Sequence, residues 1–93
     1  MFNNKRYLTK GIDITIPVEL QLFMWGCLSS VPEPDYFQIF RLEPFSGMQR
    51  ITHEQEVPEF KREYLIPTDK PITAKVYIID SVDYSTMLLA EEY

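Results

Sequence analysis

Between Pro17 and Val31 the chain reads PVELQLFMWGCLSSV, and its apolar residues recur at a spacing that suits a helix turning about 100° per residue. Leu20, Met24, Cys27 and Val31 fall on one side with Phe23 and Leu28 flanking, while Val18, Leu22 and Trp25 fall nearly opposite. Pro17 suits the first helical turn, Glu19 lies near the positive helix end, and Val31-Pro32-Glu33-Pro34 stops the helix. A surface helix of a small domain needs one apolar face. The second stripe therefore calls for a cover, either within the chain, from Met87-Leu88-Leu89 or the Val31–Pro34 segment, or from another molecule.

Elsewhere the period is closer to two. Arg6 to Ile16 alternates, with Ile12, Ile14 and Ile16 at every second residue, and predicts a strand broken at Gly11. Asp35 to Glu43 is rich in strand formers and apolar on both sides, which predicts a central strand. Pro44-Phe45-Ser46-Gly47 has hairpin-turn chemistry. Met48 to Val57 is polar and predicts an edge strand or one with a solvated face, ended by Pro58. Phe60 to Ile66 and Thr73 to Asp80 alternate again, separated by the loop Pro67 to Pro71. A turn at Ser81 to Asp83 precedes a short last strand or extended tail at Thr86 to Ala90. The pattern predicts one globular α+β domain over residues 1–93, with one helix packed on a mainly antiparallel sheet of about five strands.

Composition narrows the function classes. Hydrophobic residues at 45% and aromatics at 14% are those of a folded chain, and the aromatic load suits a sheet core or a contact surface. A net charge of -5 argues against direct nucleic-acid binding, which draws on a Lys/Arg surplus. The one local surplus is Lys5, Arg6 and Lys10, for which Asp80, Asp83, Glu91 and Glu92 are the expected ion-pair partners. Cys27 is the only cysteine and lies on the core stripe, so it reads as a buried hydrophobe. The N-terminal residues lack the apolar region of a signal peptide, and no apolar run approaches the length of a membrane span. A cytoplasmic protein without a membrane partner is expected.

Candidate chemistry is sparse. His53 lies among Glu54, Gln55 and Glu56, but on a strand His53 and Gln55 point one way while the two carboxylates point the other. With one His and one Cys there is no ligand spacing for a transition metal, and His53 reads as part of a solvated strand face. Ser29, Ser30 and Ser81 lack a nucleophile-elbow pattern, and the three glycines do not form a phosphate-cradling loop. No catalytic residue, metal site or cofactor is assigned. The leading reading is a non-enzymatic module that binds a protein partner or itself through Val18, Leu22 and Trp25, since Trp is favoured at contact hot spots. The alternative is a small-ligand or nucleotide binder, or a minor hydrolase, with His53, Arg62 and Tyr64 near its site.

Three ordered runs, TKGI…IPVELQLFMW, ITHEQEVPEFKREY and AKVYIID…YSTMLLAEEY, span Thr9 to Trp25, Ile51 to Tyr64 and Ala74 to Tyr93. Together they resemble a small family from Gram-positive bacteria, their phages and plasmids, known as domain-of-unknown-function family 960. The resemblance brings no activity, cofactor or catalytic residue. It implies a setting among accessory genes of mobile elements, where products often act by binding a host protein. A host-defence or nucleic-acid-processing protein is the target such a setting implies.

Overall fold

The computed structural model describes residues 1–93. Six strands form one sheet: β1 (Lys5–Leu8), β2 (Phe37–Phe45), β3 (Met48–Gln55), β4 (Phe60–Pro67), β5 (Ala74–Asp80) and β6 (Tyr84–Leu89). They lie in the order β1-β6-β5-β2-β3-β4. All neighbours are antiparallel except β1, which runs parallel to β6 and joins the first residues of the chain to the last. Two helices, α1 (Lys10–Thr15) and α2 (Val18–Cys27), cover one face, and a 3-10 turn over Leu28–Ser30 prolongs the second. No helix is long and apolar enough to cross a membrane.

The covered face holds the core. Phe40 and Leu42 from β2, Ile51 from β3, Val76 and Ile78 from β5 and Met87 from β6 are all shielded from water and pack with Ile12, Ile16, Met24 and Cys27 from the helical side. Burial of apolar side chains at roughly 25 cal/mol per Å² is the main force holding helices to sheet. The β2–β3 hairpin turns at Ser46 and Gly47, with φ of 50° and 74°, a left-handed pair that matches strand twist and favours glycine at the second position.

Three expectations need correction. Ile12, Ile14 and Ile16 belong to no strand: β1 ends at Leu8, and Lys10–Thr15 is helical. Ile12 and Ile16 satisfy a spacing of four as well as of two, and both are buried while Ile14 is exposed. The helix wins because Thr9 caps it by accepting from the Ile12 N–H, and Glu92 arrives from the far end of the chain to accept from Thr9 Oγ1 (2.6 Å) and the Gly11 N–H (3.2 Å). A Cβ on Gly11 would lie 2.6 Å from that carboxylate, so a larger residue there would push the Glu92 side chain aside and loosen this contact.

The second correction concerns β3, which is not an edge but an interior strand between β2 and β4; Gln49, His53 and Gln55 are buried on its covered face, while Arg50 and Glu54 are only partly covered on the other. The third is the count, two α-helices and six strands with one parallel pair, against one helix and about five strands.

Polar burial in β3 works through amides. All four glutamines of the chain, Gln21, Gln38, Gln49 and Gln55, are buried, and each ties a loop or helix end to the core. Gln49 donates to Ile72 O (3.0 Å) and accepts from the Ile72 N–H (2.8 Å), fastening the loop before β5. Gln55 donates to Glu33 O and Pro58 O and accepts from the Asp35 N–H, joining the loop that enters β2 to the loop that leaves β3. Gln21 donates to Ile16 O, closing the corner between α1 and α2. Such groups cost free energy when buried unpaired, so these bonds fix loop positions as well as offsetting desolvation.

Candidate functional site

The two stripes on α2 part company in the structure. On the first, Met24, Cys27, Leu28 and Val31 are buried and Leu20 and Phe23 half-buried, as the spacing predicts. On the second, Val18 and Leu22 are exposed, at 62% and 66%, but Trp25 is buried at 7%. The flat exposed Trp25 patch is therefore absent. Its cover comes from the N-terminal segment: the Arg6 guanidinium lies over the indole, 4.8 Å from the ring centroid, and Phe2 shares the same cleft. Val31 and Pro34 line that cleft too, whereas Met87, Leu88 and Leu89 belong to β6.

That segment is held by one carboxylate. Asp80 accepts from the Phe2 N–H (2.7 Å), the Asn4 amide (3.2 Å) and the Val82 N–H (2.7 Å). Burial pushes its carboxyl up, and these hydrogen bonds together outweigh that, holding the pKa below the ordinary value. Glu92 is likewise lowered, first by the Thr9 hydroxyl and then by the Leu89 and Gly11 N–H groups. Both carboxylates thus bind neutral groups of the basic segment. The expected ion pairs to Lys5, Arg6 and Lys10 do not form; the ion pairs present are Arg41–Glu54 and Arg50–Glu43.

Between the N-terminal segment and α2 runs a cleft of ≈ 420 Å³, with Arg6 and Trp25 in its wall and Leu22 and Gly26 on the side of the helix. Gly26 continues the row Val18, Leu22, Gly26 at a spacing of four. A Cβ placed there meets nothing within 4 Å. Glycine inside a helix costs about 1 kcal/mol relative to alanine, and no neighbour in the fold requires it. Sequence reasoning missed Gly26, although the spacing of four from Val18 and Leu22 was there to be read.

His53, Arg62 and Tyr64 are brought onto one face of neighbouring strands: His53 pairs with Arg62 in the register, and Ile51 with Tyr64. They do not form an open site. His53 is fully buried, stacked on Phe40 at 4.3 Å between centroids and edge-on to Phe60, so the solvated-face expectation is overturned. Both N–H groups of the Gln38 amide are spent on Asp35 O and Gln55 Oε1, so Gln38 Oε1 must accept. Its partner at 2.7 Å, His53 Nε2, therefore carries the proton, and Nδ1 is left without a partner.

Burial and then the nearby Arg62 cation lower the His53 pKa to about 4, against a smaller opposing effect of Glu54. The imidazole is neutral at pH 7. Tyr64 is half-buried edge-on to Phe23, Arg62 lies exposed over Phe60, and none of the five main clefts is lined by any of the three. Cys27 is buried beside Tyr64 and Arg62; burial pushes its thiol up more than those neighbours pull it down. No group of three His, Cys, Asp or Glu side chains is placed to hold a metal ion.

A solved structure of a protein of unknown function from Enterococcus faecalis has the same fold, with a TM-score of 0.86 over 97% of this chain and 91% of that one, at 18% identity. None of the curated proteins matches. The sequence pattern of the family described as "Staphylococcal protein of unknown function (DUF960)" matches residues 5–92, from the first residue of β1 to the end of a 3-10 turn over Ala90–Glu92, and the chain belongs to that family.

Proposed function

We propose that this protein is a non-enzymatic interaction module that binds a protein partner, or a second copy of itself, through the outer row of α2. One observation carries the reading. Val18 and Leu22 stand exposed in line with Gly26, a residue that no intrachain contact explains, beside a cleft whose wall contains Trp25 and Arg6. Fully burying a Val or Leu side chain contributes roughly 1.5–3 kcal/mol, and a glycine lets a partner's backbone approach the helix closely. Trp25 acts from beneath as a rigid wall, and Arg6 supplies a cation at the rim. The mobile-element setting that the family resemblance implies makes a host protein the partner class.

The test compares wild type with Leu22→Asp. Affinity capture from a Gram-positive host lysate, with mass spectrometry, is run beside light scattering of the pure proteins. Wild type is expected to capture a discrete partner or to self-associate, and Leu22→Asp to lose this at unchanged melting temperature. Identical behaviour of the two proteins would overturn the reading.

A further inference from the structure

The sheet face away from the helices is unused by the α2 reading and differs in character from the rest of the surface. The strand register places Tyr7, Thr86, Ile79 and Phe37 in one row across it, and Leu88, Tyr77 and Ile39 in the next. A third row sets Lys75 directly opposite Arg41. Aromatic rings cluster on it. Tyr7 meets Tyr84 at 5.7 Å, and Phe37, Tyr77 and Tyr93 touch one another edge to face or tilted.

Charge is sorted between the two sides of the molecule. Of the nine Lys and Arg residues, Lys5, Arg41, Arg50, Lys61 and Lys75 share this face with only Glu43, Glu54 and Glu63 of the fourteen acids. A chain of net charge -5 thus presents a net positive sheet. Arg41 and Lys75 are both exposed, and like charges directly opposite on neighbouring strands are destabilising. Arg41 is held by Glu54; Lys75 has no carboxylate within ion-pair distance and lies over the Tyr77 ring at 5.6 Å. Arg50 lies in the same way over Phe45, at 4.5 Å. Rings and cations lie side by side on an acidic protein, with Lys75, free of any carboxylate, directly opposite the Glu54-paired Arg41.

The occupant that uses both features has flat rings joined by anions. We propose that this open face binds single-stranded nucleic acid, with bases stacking at Tyr7–Tyr84 and Phe37–Tyr77 and phosphates meeting Arg41 and Lys75. A second copy is disfavoured, because face-to-face packing would set cations on cations. A duplex is disfavoured as well, because a flat sheet offers no element to enter a groove. The acidic remainder of the surface confines the strand to this one face. The proposal is independent of the α2 reading.

The test uses the full chain with fluorescein-labelled dT15 and rU15, read by anisotropy at low salt. Binding is expected, with a log–log salt slope of about -1.4 for these two phosphate contacts, so a tenfold rise in salt weakens it about 25-fold. Lys75→Glu and Tyr77→Leu, the latter keeping an apolar side chain but removing the ring, should each weaken binding at least tenfold with the melting transition retained. Leu22→Asp should bind as wild type. Absence of binding by wild type at low salt would overturn the proposal, and so would equal binding of a labelled duplex or indifference to both sheet variants. Poly-glutamate of the same length binding as tightly as dT15 would overturn it too, since the face would then be an anion patch open to acidic proteins.

Discussion

The two faces of the sheet are built from the same strands yet have opposite fates. Phe40 points to the helices and is fully buried against His53, whereas Phe37, three residues earlier on β2, points away and is only half-covered, by Tyr77 and Tyr93. β5 repeats the contrast, with Val76 and Ile78 inside and Tyr77 and Ile79 outside. Antiparallel sheets commonly tolerate water on one face by making it polar. This one keeps that face aromatic and positively charged. An apolar pattern on both sides of a strand therefore reports two environments here, a packed core and a surface fit for contact. What separates them is the single layer of helix the chain has to spend.

The contrast breaks most visibly at β2. Phe40→Ala should cost about 3–5 kcal/mol through the cavity left beside His53, whereas Phe37→Ala, which leaves its site open to water, should cost about 1–2 kcal/mol. In a domain of this size that is a drop of tens of degrees in melting temperature against one of about ten or less. Equal drops would mean the outer face is as tightly packed as the inner.

Acid should attack the covered face selectively. Because the folded-state pKa of His53 is lowered to about 4 from an ordinary value of 6.5, the unfolded chain takes up the proton first. The stability contributed is complete above pH 6.5 and is lost as pH falls through that window, by about 3 kcal/mol at pH 4. Urea unfolding of wild type and His53→Gln across pH 7 to 4 should show the slope in the first and a flatter profile in the second. Parallel profiles would remove His53 as the cause.

A smaller effect of opposite sign belongs to the outer surface of α2. Gly26→Ala should raise stability by up to about 1 kcal/mol, since alanine favours the helix and meets nothing, while weakening any complex that needs the close approach. A fall in melting temperature would show that glycine serves the fold itself. Smallest of all is the stability change for Leu22→Asp, expected within about 0.5 kcal/mol because the site is 66% exposed. Calorimetry on this variant distinguishes a free surface from a covered one.

Much of this was legible in the order of residues. The core stripe of α2, the central place of β2, the Ser46-Gly47 turn, β4 and β5 all follow from local period and turn chemistry. A run of ten residues repeats its pattern often enough to fix its own conformation. Lys10–Thr15 is too short for that; its two buried isoleucines fit both periods, and the Glu92 carboxylate that helps hold it as a helix lies some eighty residues away. β3 misled for a related reason. Polarity is read as exposure until the partners of Gln38, Gln49, His53 and Gln55 are known, and those partners are loop carbonyls and one another.

Trp25 and the charges show the same division. Sequence placed Trp25 opposite the core, but only the fold could bring Arg6 and Phe2 across it, because Asp80 pins the N-terminal segment beside β6. Net charge was fixed at -5 by composition, yet composition is a sum and carries no direction. The alternation of side chains across paired strands, which depends on register between residues far apart in the chain, is what placed five of the nine cations on one face.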